Sequence, residues 1–235
     1  MKVERRSTLS GAETAEGIVV VIDVLRAFSC AALMFSYGIE ELVLVATPAE
    51  ALDFRRRDQN YIVAGEVQGN KVDGFDLGNS PAEMVEKGEP YFKGRKVVLR
   101  SSSGTQGAVA VRAAAQEIII ASYMTASAVA RYIRRKDPNG LLVTLLGMGS
   151  EGTDKSVEDE RCGDYIEHLL INSAYDHVDA MWECLHDPLI LKILRGERPN
   201  VPMQDVILSL QRDLFDFTMI GKPAGESVIV RSVRL

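Results

Sequence analysis

Gly17-Ile18-Val19-Val20-Val21-Ile22-Asp23 is followed without a break by Val24-Leu25-Arg26-Ala27-Phe28-Ser29-Cys30-Ala31-Ala32-Leu33-Met34-Phe35-Ser36-Tyr37-Gly38. The first seven residues form a continuous apolar run that ends in an acid, the pattern of a strand buried on both faces. From Leu25 to Tyr37 the apolar residues continue at helical length, and Gly38 supplies a stop. A buried strand passing straight into a helix is a β-turn-α unit, and it sets the expectation for the rest of the chain.

The alternation repeats on either side of the stretch. Strand patterns fall at Glu41 to Ala46, Tyr61 to Gly65, Lys96 to Arg100, Glu117 to Ala121 and Leu141 to Leu146. Helical patterns fall between them at Pro48 to Arg57, Pro81 to Lys87, Thr105 to Ala115 and Thr125 to Lys136. The last third reads as a helix from Val157 to Asn172, helical stretches at Pro188 to Arg195 and Met203 to Phe215, and a closing strand at Ser227 to Val233. Non-alternating strands separated by helices predict an α/β fold, a three-layer α/β/α arrangement around a largely parallel sheet. The chain is read as one domain over residues 1–235, with two α/β subdomains meeting near Ser122 as the variant of that reading.

With 235 residues, 46% hydrophobic and 26% charged, the chain can bury a sizeable core. Its formal charge of -6 gives no global attraction to nucleic acid or to an anionic membrane. Its apolar runs are strand-sized, far from the ~20 residues a membrane helix needs. No signal-like apolar segment precedes the first strand, so the expected location is cytoplasmic. Cys30, Cys162 and Cys184 form no C-x-x-C pair and read as reduced core thiols.

In open α/β sheets the working groups collect where strands end. After the predicted strands stand Asp23 and Arg26, Glu66, Arg100 with Ser101-Ser102-Ser103-Gly104-Thr105, Ser122, and the segment from Gly147 to Asp159. Carboxylates, arginines and a small hydroxyl loop suit a phosphate ester with a hard divalent cation. Each has a plainer reading. Asp23 fits a helix cap accepting backbone N–H groups, and Asp23 with Arg26 fits a local ion pair. Asn79-Ser80-Pro81 fits a helix start with Ser80 as cap, Pro81 in the first turn and Glu83 completing a capping box. The serine run fits an ordinary turn, although Arg100 beside it favours an anion.

Residues 151–167 hold seven acids against Lys155 and Arg161, the composition of a solvated helix start, yet Glu158 and Asp159 are placed to share a metal or polarise a water. Gly147-Met148-Gly149-Ser150-Glu151-Gly152 matches G-x-G-x-x-G, but polar Thr153 to Ser156 follows where the dinucleotide fingerprint opens a helix. His168, His177 and His186 lack ligand spacing and read as structural. The loop from Gly65 to Ser80 carries Phe75 and Leu77, which argue for an ordered segment.

Taken together, Asp23-Val24-Leu25-Arg26-Ala27, Gly65-Glu66, Gly74-Phe75-Asp76-x-Gly78-Asn79-Ser80-Pro81, Ser103-Gly104-Thr105 and Glu158-Asp159 resemble the 2-phosphosulfolactate phosphatase family in order and spacing. Asp205 to Phe217, with Asp213 and Asp216, resembles its C-terminal region. The resemblance implies Mg²⁺-dependent hydrolysis of 2-phosphosulfolactate to 3-sulfolactate and phosphate, a step of coenzyme M biosynthesis. It also implies functional positions at Asp23, Arg26, Glu66, Asn79, Gly104, Thr105, Glu158 and Asp159. One departure stands out: the family's Thr-Thr-Asn-Gly-Thr type loop is Ser101-Ser102-Ser103-Gly104-Thr105 here, so a hydroxyl replaces an amide.

The resulting expectation is a magnesium-dependent phosphatase of a small phosphorylated 2-hydroxy acid. Asp23, Arg26 and Asp159 are its catalytic candidates. Arg26, Asn79, Arg100, Ser101, Ser102, Ser103, Gly104 and Thr105 are its substrate contacts, and Asp23, Glu66, Glu158 and Asp159 its metal ligands. Asp23 as a covalent nucleophile and a metal-positioned water remain alternatives. So do another phosphorylated acid as substrate and a non-catalytic anion-binding homologue. A homodimer is the commonest arrangement for such an enzyme.

Overall fold

The computed structural model describes residues 1–136 and 138–234. Among these residues ten strands form one ladder. They are β1 (Lys2–Ser7), β2 (Ile18–Ile22), β3 (Glu41–Leu44), β4 (Tyr61–Val67), β5 (Asn70–Lys71), β6 (Lys96–Arg100), β7 (Glu117–Ala121), β8 (Leu142–Gly147), β9 (Thr218–Ala224) and β10 (Ser227–Val233). Their spatial order is β1-β8-β2-β7-β9-β10-β3-β6-β4-β5. β1, β8, β2 and β7 are mutually parallel, as are β3, β6 and β4. The hairpin β9–β10 joins the two groups through antiparallel pairings with β7 and β3.

Three antiparallel steps reverse the strand sense, so in a flat sheet the carboxyl ends of β2 and β6 would lie on opposite edges. Instead they meet: Asp23, just after β2, accepts a hydrogen bond from the Gly104 N–H, just after β6, at 2.8 Å. The sheet therefore curls on itself. Its inner face, with Val19, Val21, Leu42, Leu44, Val97, Leu99, Met219 and Val230, closes over α2 (Ala27–Ser36), α4 (Pro81–Phe92) and α5 (Gly104–Ala110) in one core. α2 is apolar all round, as a helix enclosed on every side must be, and every residue from Ala27 to Phe35 is buried.

The outer faces carry separate cores. Ile18, Val20 and Val143 pack on α6 (Ala126–Arg134) and α7 (Val157–Ile171), while Val43, Val63 and Val98 pack on α3 (Pro48–Arg57). This is the expected three-layer α/β/α arrangement with a mostly parallel sheet. The short α8 (His177–His186), α9 (Pro188–Leu194) and α10 (Met203–Ser209) add a small cluster that also holds Leu25 and Val157. No helix among the described residues is long and apolar enough to cross a membrane. The three cysteines are free and buried, as expected.

Several elements differ from the sequence reading. β1, which the sequence reading did not place as a strand, pairs along its whole length with β8 and, as an edge strand, tolerates its charges. β9, broken in sequence by Gly221 and Pro223, and α8 were not expected. The helix from Met203 stops at Ser209, six residues short of Phe215. α4 outlasts its expected end at Lys87, because the chain leaves helical geometry only at Gly88 (φ 62°) and re-enters it to Phe92. Gly38 does end α2, at φ 86°.

Candidate active site

The turn after β2 is the centre of the site. The Asp23 carboxylate is 5% exposed; its Oδ1 accepts from the Ala27 N–H at 2.9 Å and its Oδ2 from the Gly104 N–H at 2.8 Å. The starts of α2 and α5 thus point their free N–H groups at one carboxylate. The plain reading of Asp23 as a helix cap is therefore correct for α2 but incomplete, since it bridges two helices. Gly104 is required by this approach: a Cβ there would stand 2.5 Å from Asp23 Oδ2. Burial pushes the Asp23 carboxyl up to about 6, against the two backbone donors, and the nearby Glu66 charge adds to the rise.

Asp23, Arg26, Glu66, Asn79, Ser101, Ser102 and Ser103 line a single cleft with Gly149, Ser150 and Arg198. Glu66, 5% exposed, accepts from the Ser102 N–H at 2.6 Å, the Ser102 hydroxyl at 3.0 Å and the Gly69 N–H at 2.6 Å. It fixes the serine loop while presenting an edge to the cleft. Thr105 locks the same loop from behind, its hydroxyl accepting from the Ser101 N–H at 2.8 Å and donating to the Ser101 carbonyl at 2.9 Å. The Asn79 Oδ1 is buried with no partner, an amide held for something beyond the chain.

Arg26, 8% exposed, donates to Asp205 Oδ2 at 3.1 Å and to the Asn200 carbonyl at 3.4 Å. It is therefore not the partner of Asp23. Asp205, wholly buried, also accepts from the Ser80 hydroxyl at 2.7 Å and the Ala82 N–H at 3.0 Å. One carboxylate so fixes both Arg26 and the first turn of α4. Sequence reading placed Asp205 only inside a C-terminal resemblance; its signal, an isolated acid in the first turn of a helix, is too common to single out. Ser80 caps α4 as expected, but Glu83 accepts from the Gly78 N–H at 2.8 Å, so the capping box does not form.

Five expected site residues do not line the cleft: Gly104 and Thr105, which act from behind the loop, and Arg100, Glu158 and Asp159. Arg100 turns its guanidinium to the Ala46 carbonyl (3.2 Å), the Glu66 carbonyl (2.5 Å) and the Ser102 hydroxyl (3.2 Å), tying β6 to β4 and bracing the serine loop instead of facing an anion. Asp159 accepts from the Val24 N–H and the Gly149 N–H, both at 2.8 Å, so it holds the two loops flanking Asp23 from behind. Glu158 is 5% exposed, and burial with the Asp187 and Asp23 charges pushes its carboxyl up to about 7. Burial together with Glu158 and Asp23 pushes Asp159 well above the carboxylate range. The acid run was expected as a solvated helix start, and these two members depart from it. The glycine segment opens no helix; Gly149 (φ 66°) sits where a Cβ would strike the Asp154 carbonyl, and α7 begins only at Val157.

Among the described residues no three carboxylate, imidazole or thiolate groups converge as a metal cage. The four expected ligands are thus not gathered round one point. The donor chemistry still suits a hard divalent ion: three acids, Asp23, Glu66 and Glu151, line the cleft, and the charge of the adjacent Arg26 is taken by Asp205. Mg²⁺ commonly takes one or two carboxylates and completes its shell with water and phosphate oxygens.

A buried carboxylate, hydroxyls and an arginine gathered at the strand ends of a three-layer α/β protein make a site whose chemistry suits a small oxyanion. A sequence model of the 2-phosphosulpholactate phosphatase family matches residues 5–198, and the chain belongs to that family of phosphoric monoester hydrolases. A probable 2-phosphosulfolactate phosphatase of Bacillus subtilis is 24% identical over 217 residues, 92% of each chain. One from Thermotoga petrophila is 40% identical over 161 residues, 68% of this chain and 66% of its own. One from Caldanaerobacter subterraneus is 34% identical over 152 residues, 63% of this chain and 60% of its own. The match spans less than two thirds of the length of the last two relatives.

Proposed function

We propose that the protein hydrolyses 2-phosphosulfolactate to 3-sulfolactate and phosphate with Mg²⁺, the reaction of a coenzyme M type pathway, in the cleft around Asp23. The observation that carries this reading is a buried Asp23 carboxylate that shares one cleft with a hydroxyl loop and Arg26. Asp23 and Glu66 would hold Mg²⁺, which when bound supplies positive charge against the phosphoryl oxygens.

Asp23 acts either as base, taking a proton from the attacking water and passing it to the leaving alkoxide oxygen as the P–O bond breaks, or as nucleophile, one carboxylate oxygen bonding to phosphorus as that P–O bond breaks and water then hydrolysing the acyl phosphate. The Ser101 to Ser103 hydroxyls and the Arg26 guanidinium bind the equatorial oxygens, where phosphoryl transfer most needs stabilisation. Asn79 offers its unpaired amide oxygen to a hydroxyl or a water. Asp159 and Asp205 act as positioning residues, holding the Val24 turn and Arg26. A cytoplasmic homodimer is part of the same reading.

Phosphate release from 2-phosphosulfolactate, phospholactate, phosphoglycerate and an aryl phosphate, with magnesium and with chelator, tests it. Chelator-sensitive turnover preferring the sulfonated ester is expected, with Asp23→Asn reduced by at least about a hundredfold. Preference for another ester would keep the chemistry and discard the substrate. Folded protein without turnover on any ester would favour an anion-binding role.

A further inference from the structure

The cleft has a second basic wall. Past Arg26 the lining continues to Gln68, Gly69 and Arg198, on the turn between α9 and α10. That turn is built rather than loose. The Asn200 carbonyl accepts from Arg26 at 3.4 Å, the Asn200 amide donates to Asn70 Oδ1 at 2.5 Å, and the Val201 N–H donates to the Arg198 carbonyl at 2.9 Å.

Arg198 itself is exposed, and among the described residues no hydrogen bond or ion pair holds its guanidinium. Its Nη2 lies against Gly69, 3.8 Å from where a Cβ would stand. The two arginines of the cleft are therefore unlike. Arg26 is paired with a buried carboxylate, whereas Arg198 lines the same cleft, together with Gln68, without such a partner. An uncommitted guanidinium presents a planar fork that matches sulfonate or carboxylate oxygens.

We propose that Arg198 is the specificity-determining residue for a second anionic group, the sulfonate distal to the phosphoryl group. This rests on the phosphatase reading of the cleft, because it assigns the phosphoryl end to Asp23 and the serine loop. The wall formed by Gln68, Gly69 and Arg198 then selects doubly functionalised three-carbon acids over monoesters lacking the second anion.

Calorimetric titration of 3-sulfolactate and of lactate, with inorganic phosphate present, separates the two readings, because it needs no turnover. The unmodified protein, Arg198→Ala and Arg198→Lys are compared, with circular dichroism to verify folding. The protein is expected to bind 3-sulfolactate at least about tenfold tighter than lactate. That preference should shrink to within about threefold in Arg198→Ala and survive in part in Arg198→Lys. A preference unchanged in Arg198→Ala, or none in the unmodified protein, overturns the assignment. No phosphate release from any ester, with the 3-sulfolactate preference still lost in Arg198→Ala, would overturn the catalytic reading and uphold Arg198 as the sulfonate contact.

Discussion

Asp23 carries two opposed demands. Its position removes it from water, which penalises the charged form, while the Ala27 and Gly104 N–H groups favour that same form. Burial wins, and the carboxyl is raised to about 6, with Glu158 raised to about 7. The consequence for stability has a definite sign. A carboxylate with a raised folded pKa binds more protons folded than unfolded, so stability falls as pH rises from about 4 through about 7. Asp23 contributes to that fall on the order of a few kcal/mol, shared with the acids it couples to. His177, held below the usual imidazole range by burial and by Arg212, works in the opposite sense but is one partly exposed group. The chelated protein should therefore melt several degrees lower at pH 8 than at pH 5, with Asp23→Asn flattening the slope and magnesium restoring stability at pH 8. Equal melting temperatures across that range in chelator would contradict the balance drawn for Asp23. In the sequence, Asp23 was legible as an acid at a strand end. That its second oxygen reaches across the molecule to Gly104 was not, because nothing local couples positions 81 residues apart.

At the scale of elements, the approach of α5 to the β2 turn decides the site. Gly104 is the first residue of α5, and any side chain there meets Asp23 Oδ2 at 2.5 Å and Asp23 Cβ at 2.9 Å. Gly104→Ala should displace the carboxylate by a few tenths of an ångström and lower kcat by about a hundredfold while costing about 1–3 kcal/mol of stability. Steady-state kinetics on the preferred ester, beside thermal melts, check it; a variant with unchanged kcat would show that the close contact is immaterial. Gly104 was expected as a site residue from the serine loop, but as an anion contact, whereas here its N–H is spent on Asp23. The elements read best where a pattern was continuous: β6, β7, β10 and α3 begin and end where the sequence predicts. They failed where the element serves an edge or a join. β1 alternates charges because only β8 pairs with it. α8 escaped notice because it turns Val178 and Trp182 outward, so no single apolar face marks it. Arg100 misled for a related reason, since an arginine beside a hydroxyl loop looks alike whether it faces an anion or two carbonyls.

For the whole molecule, the decisive feature is the hairpin β9–β10, which no local pattern announces. It reverses strand sense between two parallel groups and lets the sheet curl, bringing the ends of β2, β4 and β6 to one cleft. The inner core runs unbroken from Val19 and Val21 through Met219 and Val230 to Leu42 and Leu99, so neither group keeps a complete core alone. Gly221 is the narrow point of this join. A Cβ there would stand 2.7 Å from the Val228 side chain and 3.2 Å from that of Ile118, in the strands on either side. Gly221→Val should force β9 away from both neighbours and destabilise the protein by about 1–3 kcal/mol. Because the core is shared, the loss should appear as one cooperative urea transition moved to lower concentration, with fluorescence of Trp182 and far-ultraviolet circular dichroism coinciding. Substrate turnover should fail at that same midpoint, since Asp23 and Gly104 belong to different strand groups and meet only while the hairpin holds them together. Two resolved transitions, with one strand group surviving the other, would mean that the groups are separately stable and that the hairpin merely tethers them.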